Sequence, residues 1–455
     1  MEHFRDTVAT VKKLTTLGLL ALGAVAQNFT NPVLYQDLAD VDIMRNGDAF
    51  YYSASTMHFS PGAPILWSFD LVDWEYSSHS VPALDFGPQK DYNLSGTSAY
   101  NKGIYASFFN YNPKTKTWYW ASAPEGPWKK SSTLNFCYYD CGMLIDDDGT
   151  IYVEGLRMYT RNGSYYILSV HPMDGNIILK GSSPWGPFQW KWLIHNAGSN
   201  LIQGFGPPAQ GGLVSLADGR WYHMAFINGF PGGRIPVLAP VDWPSDGWPT
   251  VHTVNGAWSK QYPYPLTPHA VKSIVGTDNF ASLGPQYEWN HNAGPSAWSI
   301  TANGLELRTA TVTDDFFMAR NTLTHRILGP SSTATIKIDY SKMADGDRWV
   351  GVARDGSSFK VLMTNNISMN SNGWKTDNKG TQIASASISG GSIWLRTKVN
   401  VLPRAQQGTF QYSTDGVNFV NRWRYGVFNY ATKAKGGSVT MRSFAIDGTM
   451  QNNPA

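Results

Sequence analysis

One short pattern recurs through the first half of this 455-residue chain: a turn with glycine or polar residues leads into a strand rich in aromatic residues. Five segments show it: NGDAFYYSAS (46–55), KTKTWYWAS (114–122), DDGTIYVEG (147–155), RNGSYYILS (161–169) and ADGRWYHMAF (217–226). Such turn residues followed by β-branched and aromatic residues predict β-hairpins. The first half is therefore predicted to consist of repeated antiparallel units.

A second marker is a strand that ends in a turn carrying Trp or a Gly-Pro-aromatic sequence. It occurs at ILWSFDLVDWEY (65–76), ASAPEGPWKK (121–130), ILKGSSPWGPFQW (178–190) and VLAPVDWPSDGWP (237–249). Five copies of one marker and four of the other predict a five-bladed β-propeller. The 14% aromatic content, with 18 Trp and 44 Gly, suits short strands and tight turns.

The second and third units are unusually short. In the second unit the two markers are fused at residues 119–124, and in the third unit the strand of Tyr152 runs directly into Glu154 and the next turn. A four-stranded blade needs about 40 residues. Two blades are therefore predicted to be truncated.

The pattern changes at about residue 266. The segments GLELRTATV, STATIKIDY, SIWLRTKVNV and TFQYSTDGVNF alternate apolar and polar residues between Gly, Asp or Asn turns. This alternation predicts an antiparallel β-sandwich. The predicted fold is all-β, with a propeller over residues 27–265 and a sandwich over 266–455. The Pro-rich segment WSKQYPYPLTPHAV (258–271) is interpreted as a linker, and the sandwich is expected to shape the outer substrate subsites.

The N-terminus has the features of an export signal. Lys12 and Lys13 precede an apolar run over 14–26 that ends in Ala24-Val25-Ala26. Thirteen residues are too few to span a bilayer, so residues 1–26 are predicted to be a signal peptide and the protein to be secreted. Glycosylation sequons begin at Asn28, Asn93, Asn162 and Asn366. The net charge of +3 is too small to indicate nucleic acid or a membrane as partner.

Several long segments carry a resemblance to a known family. NPVLYQDLADVDIMRNGDAFYYSASTMHFSPGAPILWSFDLVDWEY, CYYDCGMLIDDDGTIYV, EGLRMYTRNGSYYIL, SSPWGPF and PGGRIPVLAPVDW together resemble glycoside hydrolase family 43. From residue 27 onward, the chain is similar to the fungal arabinoxylan-acting members that carry a C-terminal β-sandwich. The resemblance implies a monomeric, inverting glycosidase that needs no cofactor or metal and binds a plant cell-wall polysaccharide.

The family's three carboxylates map onto this sequence by motif. Asp40 in LADVDIMR resembles the general base, Glu154 in EGLRMY the general acid, and Asp140 in YYDCGMLIDDDG the third carboxylate, which raises the pKa of the acid and orients it. Inversion needs the acid and base about 6.5–9.5 Å apart, so that a water fits between base and sugar. Asp42 would lie on the same strand face as Asp40 and is an alternative base.

Three further residues are candidates for substrate binding. Arg234 in PGGRIPVL resembles the arginine that binds the sugar of the innermost subsite, although it could also be a surface residue after a turn. His58 in TMHFSPG and Gln210 in PPAQGGL resemble residues near the pocket rim, and either could be structural instead. Ala209 stands where the family commonly has a histidine on the propeller axis, near a bound ion or water.

Two classes of function follow from these observations. The first is an enzyme that removes α-L-arabinofuranosyl residues from arabinoxylan, with β-xylosidase as the nearest enzymatic alternative. The second is an inactive, carbohydrate-binding remnant, which the short second and third units and Ala209 favour. The three carboxylates favour the enzyme.

Overall fold

The computed structural model describes residues 27–119, 140–154, 157–171, 174–196, 201–202, 204–349, 351–405, 407–422, 429–450 and 452. The predicted signal peptide lies outside this range. The regular secondary structure of the described chain is almost entirely β-strand, with one helical turn, α1 (Gln89–Tyr92), and two 3-10 turns at Pro295–Ala297 and Phe316–Met318. The prediction of an all-β fold is confirmed. No helix in these ranges combines the length and apolarity needed to cross a membrane.

The first nineteen strands belong to the N-terminal part. In chain order they are β1 (Asn28–Thr30), β2 (Asp42–Asn46), β3 (Ala49–Ser53), β4 (Phe59–Ser60), β5 (Gly62–Ser68), β6 (Glu75–Val81), β7 (Asn110–Asn112), β8 (Thr117–Tyr119), β9 (Gly142–Ile145), β10 (Ile151–Glu154), β11 (Arg157–Arg161), β12 (Ser164–His171), β13 (Gly175–Gly181), β14 (Gln189–His195), β15 (Ala209–Ser215), β16 (Trp221–Gly229), β17 (Gly233–Asp242), β18 (Thr250–Val251) and β19 (Gln261–Pro263).

Most of these strands form five successive antiparallel sheets, whereas β1, β4 and β19 pair elsewhere. Their strand orders are β2-β3-β5-β6, β7-β8, β9-β10, β11-β12-β13-β14 and β15-β16-β17-β18. The five aromatic segments identified in the sequence are β3, β8, β10, β12 and β16, and each is the second strand of its sheet. The repeated pattern therefore marks the first hairpin of every sheet.

The first strands of the five sheets surround a common axis. Met44 of β2, Asn110 of β7, Met143 of β9, Tyr159 of β11 and Val214 of β15 all line one cavity of about 210 Å³. Neighbouring sheets are also joined by direct contacts. These are the Tyr51 and Trp118 rings at 4.9 Å, Asn110 Nδ2 to Met143 O at 3.0 Å, Arg157 Nη1 to Cys141 O at 2.7 Å, and Asn176 Nδ2 to Gln210 O at 2.8 Å. The fifth sheet returns to the first, where Gly212 approaches Ile43 too closely for a side chain.

The interpretation of residues 258–271 as a linker is wrong for their first part. Strand β19 pairs with β1, with Phe29 opposite Tyr262, and Trp258 is only 1% exposed. Burying these aromatic side chains stabilises the pairing of the chain's first described strand with the last strand of this region. The boundary predicted after residue 265 falls between β19 and the next strand.

The remaining described strands include those of a two-layer sandwich, as predicted. They are β20 (Gly276–Asp278), β21 (Tyr287–Asn290), β22 (Trp298–Thr301), β23 (Gly304–Arg308), β24 (Leu323–His325), β25 (Ser331–Asp339), β26 (Asp347–Trp349), β27 (Val352–Asp355), β28 (Ser358–Met369), β29 (Thr376–Ile388), β30 (Ser392–Asn400), β31 (Gln407–Ser413), β32 (Val420–Arg422), β33 (Asn429–Ala431) and β34 (Ser438–Asp447).

Two antiparallel sheets make up the layers of the sandwich. One runs β22-β23-β34-β25-β30-β31-β32, with β20 paired to β34, and the other runs β29-β28-β27-β26-β33. Alternate residues such as Ile336, Ile338 and Leu395 are buried in a core shared with Val352 and Val361 of the second sheet. The period-2 alternation read from the sequence is thus the inner face of each sheet.

The two halves of the chain are connected by a three-stranded antiparallel sheet and a buried ion pair. Strand β21 pairs on one side with β24 and on the other with β4, which lies in the N-terminal half. Beside it, Arg326 Nη2 lies 2.8 Å from Glu288 Oε1, and His79 of β6 lies 3.3 Å from the same oxygen. Arg326 Nη1 also donates to the backbone carbonyl of Asp37. The sandwich thereby contacts the segment that leads to Asp40.

Candidate active site

Asp40 lies immediately before the first inner strand and is 5% exposed. Its backbone φ of 58° is in the left-handed region, which Asp tolerates better than most residues. Ser55 Oγ donates to its Oδ2 at 2.6 Å, and Arg234 Nη1 donates to its Oδ1. Both carboxylate oxygens are therefore held, and the group is fixed in one orientation.

Asp42 has different partners from Asp40. It is the first residue of β2, whereas Asp40 precedes the strand, so the expectation that both point to one strand face is wrong. Asp42 Oδ1 lies 2.9 Å from Nε of Arg157, and its Oδ2 accepts from the backbone N of Phe109 at 3.2 Å. Burial raises the pKa of Asp42, and Arg157 partly offsets this. These contacts indicate a structural ion pair below the site.

Asp140 comes close enough to Asp40 for the two carboxylates to interact. It also has a left-handed φ, 48°, and its Oδ2 accepts from Gln210 Nε2 at 2.9 Å. Burial and then the like charge of Asp40 raise the pKa of Asp140, while Arg157, Arg234 and the Gln210 amide oppose this rise. A carboxylate in such surroundings suits the role of a third carboxylate that modulates its neighbours.

Gln210 is held in place by a small buried network. Its backbone N donates to Asn176 Oδ1 and its carbonyl accepts from Asn176 Nδ2, both at 2.8 Å. Asn176 in turn contacts His223 Nε2 at 2.8 Å, and burial lowers the pKa of His223 to about 4, so this ring is neutral near pH 7. The left-handed φ of 55° at Gln210 aims its amide at Asp140.

Glu154 is the last residue of β10 and its backbone lies opposite Gly142 of β9. Gly142 follows Asp140 by two residues, so the pairing places Glu154 and Asp140 at the same end of the third sheet. The side chain of Glu154 lies outside the described part of the structure. Its role as general acid therefore stays a prediction.

Arg234 lies at the open side of the site. Its side chain is 41% exposed, its guanidinium lies over the ring of Phe226 at 5.3 Å, and its backbone N donates to Asp37 Oδ1 at 2.8 Å. Two exposed aromatic residues stand nearby: Tyr105, 47% exposed, interacts electrostatically with Asp40 and Arg234, and Phe230 is 79% exposed on the hairpin that leads to Arg234. These rings can stack on the apolar faces of sugars.

His58 lies in a separate cluster, between the two halves of the chain. Its ring packs against Tyr100 at 4.7 Å and His291 at 4.9 Å, and the backbone N of Asn101 donates to its Nδ1 at 3.4 Å. Burial lowers the pKa of His58 to about 4. Asn101 also accepts from the Tyr105 hydroxyl, so these two residues link His58 to the site.

The structure brings four of the six predicted residues together: Asp40, Asp140, Arg234 and Gln210. It adds Ser55, Asn176 and Arg157, which the sequence analysis missed because their roles depend on contacts with distant segments. Within the described ranges, no three His, Cys, Asp or Glu side chains are grouped to hold a metal ion.

Comparisons with known proteins identify the family of this chain. Residues 29–153 match glycosyl hydrolases family 43, and residues 277–437 match the β-xylosidase C-terminal concanavalin A-like domain. A solved GH43 glycoside hydrolase, described as engineered to display both endo-xylanase and exo-arabinofuranosidase activity, is 33% identical with a TM-score of 0.88. The alignment covers 93% of this chain and all of that one.

Two curated relatives are more distant in sequence. A β-xylosidase of Formosa agariphila is 26% identical, over 92% of this chain and 90% of its own. A non-reducing end α-L-arabinofuranosidase of Bacteroides ovatus is also 26% identical, over 77% of this chain and 78% of its own. With 33% identity across nearly the whole length of a solved member, the resemblance is confirmed: this chain is a glycosidase that belongs to glycoside hydrolase family 43.

Proposed function

We propose that the protein is a secreted, inverting hydrolase that removes α-L-arabinofuranosyl residues from arabinoxylan. The observation that carries this proposal is the pairing of a fixed Asp40 with Arg234 beside a second carboxylate, Asp140. The export-like N-terminal sequence supports secretion.

The arrangement suits a single-displacement mechanism. Asp40 accepts a proton from a water whose oxygen bonds to the anomeric carbon, while Glu154 gives its proton to the glycosidic oxygen as that bond breaks. The ionised form of Asp140, which Arg157 and Arg234 favour, would raise the pKa of Glu154 and so help to keep the acid protonated. Ser55 and Arg234 keep Asp40 from rotating away from the water.

We propose arabinose as the released sugar because two of the relatives are named for arabinofuranosidase activity. The solved enzyme at 33% identity is described with exo-arabinofuranosidase activity, and the Bacteroides relative is a non-reducing end α-L-arabinofuranosidase. The alternative is β-xylosidase activity, which the Formosa relative's name supports. Both sugars are pentoses that an arginine and aromatic rings can hold.

The five sheets are interpreted as propeller blades, with the second and third shortened. In the described residues these two sheets have two strands each, against four in the others, and only residues 155 and 156 separate β10 from β11. The alignment with the Formosa enzyme runs over 549 positions, more than the 455 residues of this chain. The relative therefore carries segments without a counterpart here. A shortened propeller is also what an inactive remnant would have.

The sugar released from arabinoxylan tests the proposed substrate. We expect the purified protein to release arabinose from arabinoxylan faster than it releases xylose from unbranched xylo-oligosaccharides, measured by chromatography of the pentoses. An Asp40→Asn preparation, purified in the same way, controls for contaminating enzymes. Release of xylose alone would establish the β-xylosidase alternative, and release of neither would favour the remnant.

A further inference from the structure

Arg157 is a buried arginine that contacts the backbone of two carboxylate-bearing segments at once. It is 6% exposed and begins β11, the first strand of the fourth sheet. Its guanidinium contacts Asp42 Oδ1 at 2.9 Å, Cys141 O at 2.7 Å, and Asp140 O, Asp40 O and Val41 O at 3.3 Å each. One side chain thus joins the first, third and fourth sheets where they meet.

We propose that Arg157 is a positioning residue that sets the relative placement of the base and the third carboxylate. The proposal rests on the proposed function, because it assigns a role within that reaction. Both Asp40 and Asp140 have left-handed backbone conformations, which few residues adopt unless their surroundings hold them. Arg157 donates to the backbone carbonyl of each aspartate and so fixes the orientation of the peptide group that follows it.

Arg157 is also close in sequence to Glu154, the predicted general acid. Glu154 precedes Arg157 by three residues and ends the strand that pairs with β9, which follows Asp140. A shift of Arg157 would therefore move all three carboxylate-bearing segments relative to one another. A planar guanidinium suits this task because its donors point in fixed directions, whereas a lysine ammonium is a single point of charge.

Arg157 also contributes charge. The groups that act on Asp140 are Asp40, which raises its pKa, and Arg157, Arg234 and the Gln210 amide, which lower it. On its other side the guanidinium forms an ion pair with Asp42, whose Oδ1 lies 2.9 Å from Nε. Loss of the Arg157 charge should therefore raise the pKa of Asp140 further, so that Asp140 becomes neutral at a higher pH.

Three variants separate geometry, charge and simple stability. Arg157→Gln removes charge and contacts, and Arg157→Lys keeps the charge but loses the fork of donors. The matched control is Arg348→Gln in the sandwich, since Arg348 likewise contacts one carboxylate, Asp355 at 2.7 Å, and two carbonyls at 3.1 Å. The pKa of Asp140 is read by carbon NMR of aspartate-labelled protein, assigned with Asp140→Asn.

For Arg157→Gln we expect kcat to fall about tenfold to a hundredfold with KM little changed, as follows from a displacement of about 1 Å. The pKa of Asp140 should rise, and the acidic limb of kcat/KM should move to higher pH. Arg157→Lys should lose kcat while Asp140 titrates as in the wild type. Arg348→Gln should lower the melting temperature and leave both readouts unchanged.

The NMR titration does not depend on turnover, which separates this proposal from the proposed function. A wild-type protein that releases no pentose, but whose Asp140 responds to Arg157→Gln, would sink the proposed function alone. If Arg157→Gln does not fold, Arg157→Lys carries the test through its loss of kcat. Arg157 variants that match Arg348→Gln in kcat, pH profile and Asp140 titration would overturn the positioning role.

Discussion

Replacing Asp40 by Asn is expected to lower kcat by about 10²- to 10⁴-fold, the usual contribution of a positioned general base. The amide keeps the size of the side chain and can still contact Ser55, but it cannot take a proton from water. Circular dichroism should show an intact fold, and calorimetry should show that the variant still binds an arabinoxylan oligosaccharide. Steady-state kinetics on arabinoxylan measures the loss.

Asp42→Asn is the control that shows whether Asp40 or Asp42 is the general base. Removing one partner of a buried ion pair leaves Arg157 without its carboxylate, so we expect unfolding free energy to fall by about 3–5 kcal/mol. The loss of kcat should be far smaller than for Asp40→Asn. If Asp42→Asn stayed fully stable and lost as much kcat as Asp40→Asn, the base would be Asp42.

Arg326→Met is expected to destabilise the protein by about 3–5 kcal/mol, because it leaves Glu288 as a buried charge without its main partner. Both side chains are largely buried, and Arg326 contacts both Glu288 Oε1 at 2.8 Å and Oε2 at 3.2 Å. Scanning calorimetry measures the effect. Arg442→Met, which breaks a more exposed pair with Asp339 inside the sandwich, should cost much less.

The pH dependence of stability provides a second test of the ion pair between Arg326 and Glu288. Burial alone would raise the pKa of Glu288, but Arg326 and His79 together hold it below its usual value. In the wild type, Glu288 therefore contributes stability above pH about 4.3, the value for an unfolded glutamate, and loses it as pH falls further. In Arg326→Met, burial raises that pKa instead. The difference between the two proteins should shrink as the solution is acidified, and a constant difference would contradict the account.

The sequence predicted the local elements well because they depend on local patterns. Turn residues followed by aromatic-containing segments marked the second strand of each of the five N-terminal sheets, and the alternation around Ile336 and Ile338 marked an inner face of the sandwich. The motif around Asp40 also identified a residue that the structure places beside Asp140 and Arg234. These signals are contained within a few neighbouring residues.

What the sequence did not reveal depends on long-range contacts. Arg157 donates to the carbonyl of Asp40, 117 positions away, and no pattern in the neighbouring sequence predicts so distant a partner. Trp258 and Tyr262 lie in a Pro-rich segment that suggests a linker, yet both are buried, because the chain returns to pair with β1 and places Tyr262 opposite Phe29. His58 resembled a rim residue, but pairing of β4 with β21 places it between the two halves.

The configuration of the first sugar released distinguishes an inverting from a retaining reaction. Two carboxylates with a water between base and sugar must invert the anomeric centre, whereas a carboxylate that attacks the sugar itself retains it. Proton NMR, recorded within minutes of adding enzyme to an α-L-arabinofuranoside, follows the anomeric signals before mutarotation. The account predicts that β-L-arabinose appears first. Initial appearance of α-L-arabinose would contradict the roles given to Asp40 and Glu154.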